Sequence, residues 1–220
     1  METYEILINQ ISIVIPALNE EESIPSLVDE LNAELESANL EFEIIIVDDC
    51  STDKTKKIIE SLANKNKIIR YFFLEKNLGK GSALKRGFKE ATGDIILIQD
   101  ADLEYDPKDY PLLIKPFQET DADIVYGSRF LGGEYVRLHF FWHYLANRLL
   151  TLATNIITNL NMTDMETGYK VFKRDVIQSI EIKEKSFGVE PEITVKLAKK
   201  KFIFFNFRFI FIIGYWYSNI

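Results

Sequence analysis

The chain has one cysteine, Cys50, in 220 residues. No disulfide can form within it, and the pattern fits a reducing compartment. Cys50 sits among Asp48, Asp49 and Asp53, where a thiolate is disfavoured, so it reads as a bystander and not a nucleophile. Excess positive charge is missing too. The formal net charge is −8, which speaks against a nucleic-acid-binding surface. A nucleotide held by a metal and a few local cations is still allowed. No run of about 20 apolar residues lies within residues 1–200. The first residues carry no basic segment followed by an apolar stretch and a cleavage site, so no signal peptide is expected. The spacing of a Walker A loop is absent as well. What is present is 47% apolar residues, too many for a disordered chain, at a length that suits one α/β domain.

The organising stretch is Gly93-Asp94-Ile95-Ile96-Leu97-Ile98-Gln99-Asp100-Ala101-Asp102. Ile95 to Ile98 reads as a buried strand of a parallel sheet. Asp100 and Asp102 follow it two residues apart, a spacing that puts both side chains on one side of an extended segment. Open α/β sheets bind ligands at this end of their strands. Two carboxylates converging there repel unless a cation sits between them. A hard divalent ion, Mg²⁺ or Mn²⁺, suits that place, because it takes a few carboxylates and fills its shell with water and phosphate oxygens. A pair of solvated loop aspartates is the bland alternative.

The rest of the chain repeats the same grammar. Residues 11–15, 43–47, 68–74 and 122–126 read as strands, and Tyr169 to Phe172 as a short one. The first helix is placed near Ser23, because Pro25 is best tolerated in a first turn. Ser51 or Asp53 can cap the second helix, and Asp106 with Pro107 opens another. Asn77-Leu78-Gly79-Lys80-Gly81-Ser82 starts a helix whose N–H groups could meet a phosphate, although Gly79 and Gly81 also serve as plain turn residues. A last helix follows Gly188-Val189-Glu190-Pro191-Glu192. Acidic and glycine-rich clusters come after strands throughout, as in a doubly wound sheet with a nucleotide-type site. Residues 138–160 are apolar and aromatic but interrupted by His143, Asn147 and Arg148. They read either as a core helix or as a helix lying on a membrane surface.

These residues resemble family 2 glycosyltransferases of the GT-A, nucleotide-diphosphosugar fold, and among them the polyprenyl-phosphate (dolichyl-phosphate type) mannosyl- and glucosyltransferases. The resemblance runs from about Ile11 to Ala198. It rests on Ile-Pro-Ala-Leu-Asn-Glu-Glu (15–21), Val-Asp-Asp-Cys-Ser-Thr-Asp (47–53), Asn-Leu-Gly-Lys-Gly-Ser-Ala (77–83), Asp-Ala-Asp (100–102), Tyr-Gly-Ser-Arg-Phe (126–130) and Glu-Thr-Gly-Tyr-Lys-Val-Phe (166–172). It implies an α/β fold with a central, mostly parallel sheet flanked by helices, as one domain over residues 1–201. Pro16, Leu18 and Glu20 would lie against the nucleoside. Asp48 and Asp49 would meet base and ribose. Lys80 and Ala101 would adjoin the sugar diphosphate. Asp100, Asp102 and Glu104 would hold Mg²⁺ or Mn²⁺. Arg129 would approach the acceptor phosphate as a forked donor, with His143, Asn147 or Arg148 nearby as a second group. Of these, His143 is more readily a packed core residue.

The activity so implied is metal-dependent, inverting transfer of a hexose from GDP-mannose or UDP-glucose to a polyprenyl phosphate. The place would be the cytoplasmic face of a membrane. A phosphate monoester with a second pKa near 6 is already an anionic nucleophile at neutral pH, so no base is needed. A saccharide acceptor, the first alternative, would need one, with Asp164 or Glu166 as candidates. A catalytically weak nucleotide-sugar-binding protein working through a membrane partner is the second alternative. A homo-oligomer is also kept open. Residues 202–220 leave the family pattern after Lys199-Lys200-Lys201. They read as a membrane-surface anchor, as a core strand with a tail buried in a partner, or as a truncated or frameshifted end. The abrupt loss of pattern favours the last of these.

Overall fold

Apolar runs with no polar face demand cover on both sides, and the sheet supplies it. In the computed structural model, which describes residues 8–37, 40–103, 105–130 and 141–208, the central strands are β1 (Gln10–Ala17), β2 (Glu41–Asp48) and β4 (Ile95–Ile98). Ile11, Ile13, Val14 and Ile15 are all buried. Alternate residues serve opposite faces. Ile11, Ile13 and Ile15 pack with Leu27 and Leu31 of α1 (Ser23–Ser37), Ile59 of α2 (Thr55–Lys65) and Phe117 of α4 (Tyr110–Glu119). Val14 packs with Leu84 and Phe88 of α3 (Lys80–Glu90), Ile177 of α6 (Arg174–Gln178) and Leu197 of α7 (Val189–Lys199).

The strand order is β3-β2-β1-β4-β6-β5-β7, where β3 is Ile69–Phe73, β5 Ile124–Ser128, β6 Lys170–Lys173 and β7 Phe204–Arg208. β6 runs antiparallel to both β4 and β5, and the other pairs are parallel. After β3 the chain returns past β1 to form β4. Right-handed crossovers then put α3 on the face opposite α1 and α2. The strand order therefore reverses between β1 and β4, which opens a crevice at their carboxyl ends.

The sheet extends beyond Lys201, where the sequence closes the domain, because β7 pairs with β5 from Ile124↔Phe204 to Ser128↔Arg208. Residues 204–208 thus form an edge strand of the sheet, with Phe204, Phe205 and Phe207 half-buried. The expected tail from residue 209 onward lies outside the described residues. The first helix does begin at Ser23. Neither proposed cap holds the N-cap position of α2, which is Lys54 without a side-chain cap; Asp53, one residue earlier, accepts from the Thr55 N–H at 3.0 Å.

Residues 138–160 yield α5, Phe141–Thr158, but not as a core helix. Its buried positions are Asn147, Thr151 and Thr154, a polar stripe at helical spacing. Its apolar residues face outward. Trp142 is 73% exposed, Leu149 58% and Ile156 74%. The polar stripe is drawn inward by partners: Asn147 donates to the Asp164 carboxylate, and the Met165 N–H donates to Thr151 Oγ1. His143 is likewise exposed and not packed in the core. Among the described residues, no helix is long and apolar enough to cross a membrane.

Candidate active site

The crevice between β1 and β4 is a cleft of about 390 Å³. Pro16 lines it from the end of β1, Leu18 and Glu20 from the loop after it, Asp49 from just after β2, and Lys80 from the start of α3. Asp100, Ala101 and Asp102 close its far side. One cleft thus collects eight of the sequence-predicted residues.

The loops around it are tied to each other by side chain to backbone bonds. Asn19 Oδ1 accepts from the Thr52 N–H at 2.8 Å, and Ser51 Oγ accepts from the Asn19 N–H at 2.8 Å. Asp49 accepts from the N–H groups of Leu78 and Gly79 at 2.8 and 2.6 Å, fixing the entry to α3. Asp48, expected beside the nucleotide, is not among the lining residues. It is 2% exposed and is engaged by the Ser51 hydroxyl and N–H. Two adjacent aspartates on a strand end point to opposite sides, so only one can face the cleft.

The glycines beside Lys80 have a packing role. Gly79 has φ of +93°, and a Cβ there would lie 2.5 Å from the Lys185 carbonyl oxygen. A Cβ on Gly81 would lie 2.5 Å from that of Glu184. The segment before α7 presses on the start of α3, and the Ser82 N–H donates to the Lys185 carbonyl at 3.2 Å. This close approach, which brings Ser186 and Phe187 to the cleft wall, explains both glycines without a phosphate.

Asp100 and Asp102 do not lie on an extended strand. β4 ends at Ile98, and a turn follows in which Leu103 has φ of +57°. Buried Gln99 holds this turn: its amide donates to the carbonyls of Asp100 and Tyr105, and Tyr110 donates to its Oε1 at 2.8 Å. Behind the turn, Gly168 abuts Asp100. Its N–H donates to the Tyr105 hydroxyl at 2.7 Å, and a Cβ would sit 2.5 Å from Asp100 Oδ2. Gly168→Ala should therefore displace Asp100 or Tyr105. A cost of about 1–3 kcal/mol would appear as a lower thermal midpoint, with a matching loss of any function that needs Asp100.

The Lys80 ammonium lies 2.8 Å from Asp100 Oδ1 and 3.2 Å from Glu190 Oε1. Burial would weaken its protonation, but the Glu190 and Asp100 charges outweigh this and raise its pKa. Two carboxylates at the rim of a cleft, with room for phosphate oxygens, fit a magnesium-like ion, which is usually held by one or two carboxylates plus substrate. The expected third ligand, Glu104, lies outside the described residues. Among the described residues no three His, Cys, Asp or Glu form a metal-binding group.

Arg129 follows β5. Its Nε and Nη2 donate to the two oxygens of Asp164 at 2.7 and 2.9 Å, and its N–H donates to the same carboxylate at 3.1 Å. Burial would raise the Asp164 pKa, but Arg129 and the Asn147 amide together hold it below the usual range. Asp164, one of two candidate bases, is therefore a locked anion and a poor proton acceptor. Glu166, the other, is half-buried with a raised pKa: burial raises it most, the Lys170 charge opposes, and the Glu190 charge adds to the rise. Of the three positions expected beside Arg129, Asn147 is joined to it through Asp164, whereas His143 and Arg148 are exposed on α5.

Sequence reasoning passed over Lys170 and Glu190. Lys170 is wholly buried in β6, with its ammonium 2.5 Å from Glu190 Oε2. A lysine inside the short strand Lys170–Lys173 signals a buried counter-charge, and that signal was available.

Residues 12–181 match the family model described as Glycosyl transferase family 2. A Pyrococcus furiosus protein named Dolichol-phosphate mannosyltransferase is 30% identical over 204 residues, 91% of this chain and 56% of the relative. The Undecaprenyl-phosphate 4-deoxy-4-formamido-L-arabinose transferase of Proteus mirabilis is 32% identical over 182 residues, 82% of this chain and 53% of the relative. The chain thus spans little more than half the length of these two. Glucosyl-3-phosphoglycerate synthase from Mycobacterium tuberculosis, crystallised with Mn²⁺, UDP and phosphoglyceric acid, superposes with a TM-score of 0.67 at 24% identity. That match covers 91% of this chain and 68% of the other, and it is a likeness of fold.

Proposed function

The chain belongs to glycosyl transferase family 2, and we propose that it moves a hexose from a nucleotide sugar to a polyprenyl phosphate at the cytoplasmic surface of a membrane. The observation that carries the lipid acceptor is α5. Its outer face is apolar, its first turn holds Trp142 and Tyr144, and Arg148 adds positive charge. This composition suits a helix lying in the membrane interface. The inner face of the same helix reaches Asp164 through Asn147, and Asp164 orients Arg129. A lipid surface on one side of α5 and a phosphate-binding guanidinium on the other are thus one assembly. The names of the two polyprenyl-phosphate relatives agree with it.

In this reading the donor enters the cleft between β1 and β4. Pro16 and Leu18 supply apolar contact for the nucleoside, and Asp49 braces the loop beneath it. A divalent cation, Mg²⁺ or Mn²⁺, held by Asp100 and Asp102, would neutralise charge on the departing nucleoside diphosphate. Lys80 adds a fixed positive charge at the same edge. Arg129, held by Asp164, offers its planar fork to the acceptor phosphate. The acceptor is an anion at neutral pH, so alignment with the anomeric carbon is the main requirement and no general base is needed. A single displacement inverts the anomeric centre. The locked state of Asp164 leaves Glu166, with its raised pKa, as the candidate base that a saccharide acceptor would need.

The test uses the full chain with vesicles containing polyprenyl phosphate, labelled GDP-mannose or UDP-glucose, and Mg²⁺ or Mn²⁺. Label should enter the organic phase, and chelation should stop it. The productive donor then names the sugar. Label found only in water-soluble saccharide would replace this reading with the saccharide-acceptor one. Metal-dependent donor binding without turnover would favour a nucleotide-sugar-binding protein that works through a membrane partner.

A further inference from the structure

Behind the cleft, four charged side chains alternate in sign. Lys170, wholly buried, contacts Glu190 Oε2 at 2.5 Å. Glu190 Oε1 lies 3.2 Å from the Lys80 ammonium, which lies 2.8 and 3.1 Å from the two oxygens of Asp100. Two members of this chain, Lys80 and Asp100, line the cleft, while Glu190 and Lys170 do not. We infer that Glu190 is a positioning residue for Lys80: it holds the ammonium so that a divalent cation can take Asp100 without leaving that ammonium unpaired.

The inference rests on Asp100 and Asp102 being the metal ligands. In the structure described, Lys80 occupies both oxygens of Asp100, so an arriving cation competes with it for the same atoms. A largely buried ammonium that loses its anion is costly. Glu190 removes that cost, because it already accepts from Lys80 on the side away from the cleft. An ammonium has three protons. With one on Glu190, those surrendered by Asp100 are free to turn toward the cleft, where the donor diphosphate is proposed to lie. Lys170 fixes Glu190 in turn. Its ammonium also donates to the Thr167 carbonyl, next to the Gly168 that abuts Asp100. One segment, Thr167 to Lys170, thereby sets both the metal-side carboxylate and the far end of the charge chain.

A simpler rival is that Glu190 attracts the cation through space. The two differ in whether Lys80 is needed. Mn²⁺ is titrated into the full chain without nucleotide, and free Mn²⁺ is read by electron paramagnetic resonance. Wild type, Glu190→Gln, Lys80→Met and the double variant are compared. Lys80→Met should bind Mn²⁺ more tightly, since the competing ammonium is gone. Glu190→Gln should bind on the order of tenfold more weakly in the wild-type background and change by less than about twofold in the Lys80→Met background. Equal weakening in both backgrounds, or none in either, overturns the inference while leaving the metal ligands standing. No Mn²⁺ bound by wild type overturns the metal reading and the inference together. Glu190→Gln strands Lys170. If circular dichroism shows that it does not fold, Lys170→Met/Glu190→Gln removes both buried charges and replaces it in the cycle.

Discussion

Under the proposed function, Asp102→Asn is expected to lower transfer to polyprenyl phosphate by on the order of a thousandfold, because a bound divalent ion would be worth several kcal/mol of charge stabilisation on the leaving group. The substitution keeps the shape of the side chain and removes its charge. Asp102 is exposed at the cleft rim, so the fold should tolerate the change within about 0.5 kcal/mol. That combination is diagnostic. A variant that melts with the wild type and has lost organic-phase label has lost chemistry and not structure. Raising Mn²⁺ should restore part of the activity, because Asp100 remains. A variant that keeps more than about a tenth of the wild-type rate, well short of the loss a metal ligand implies, would show that Asp102 is not a metal ligand. Any cation in the cleft would then be held without it.

The strands and the cleft they border were legible because parallel sheets leave a plain signal. Each central strand holds an apolar run, Ile13–Ile15, Ile44–Val47 or Ile95–Ile98, and each polar cluster follows one closely. What periodicity did not reveal was the direction of individual side chains in the turns. Asp48 and Asp49 read alike as a pair, yet one is held by Ser51 and the other by two N–H groups of a loop about 30 residues further on. Asp100 and Asp102 were expected to converge through strand geometry, whereas a turn braced by Gln99 and Tyr110 places them. α5 misleads for a different reason. Its apolar content suits a core, but hydrophobicity does not say which face finds partners. Asn147 and Thr151 face inward because Asp164 and the Met165 N–H await them. Lys170 and Glu190 are 20 residues apart in sequence, on different elements, and only the packing of α7 beside β6 makes them a pair. Charges that meet through tertiary packing leave at most half a signal each.

Asp164→Ala should damage the fold severely. The Asp164 side chain is fully buried and holds Arg129, whose side chain is 15% exposed, through a bidentate pair. Removing the anion takes from the nearly buried Arg129 guanidinium its bidentate acceptor, and from the Asn147 amide its acceptor too, at a cost of about 3–5 kcal/mol. For a chain of this size that is a fall in thermal midpoint of roughly 10 °C. Arg129→Met/Asp164→Ala removes the guanidinium as well, so it should recover part of the loss although it carries two changes. Acid gives an independent check. The Asp164 pKa is depressed in the folded state, so its contribution is present above the unfolded carboxylate value near 3.9 and is lost as pH falls through the lower folded value. The gap in midpoint between wild type and Asp164→Ala should therefore be constant above about pH 5 and should narrow below pH 4. Transfer activity should fall in both variants, since neither presents an oriented Arg129 to the acceptor phosphate. If the double variant were stable and as active as wild type, Arg129 would be a structural partner of Asp164 only, and the acceptor phosphate would have to bind elsewhere.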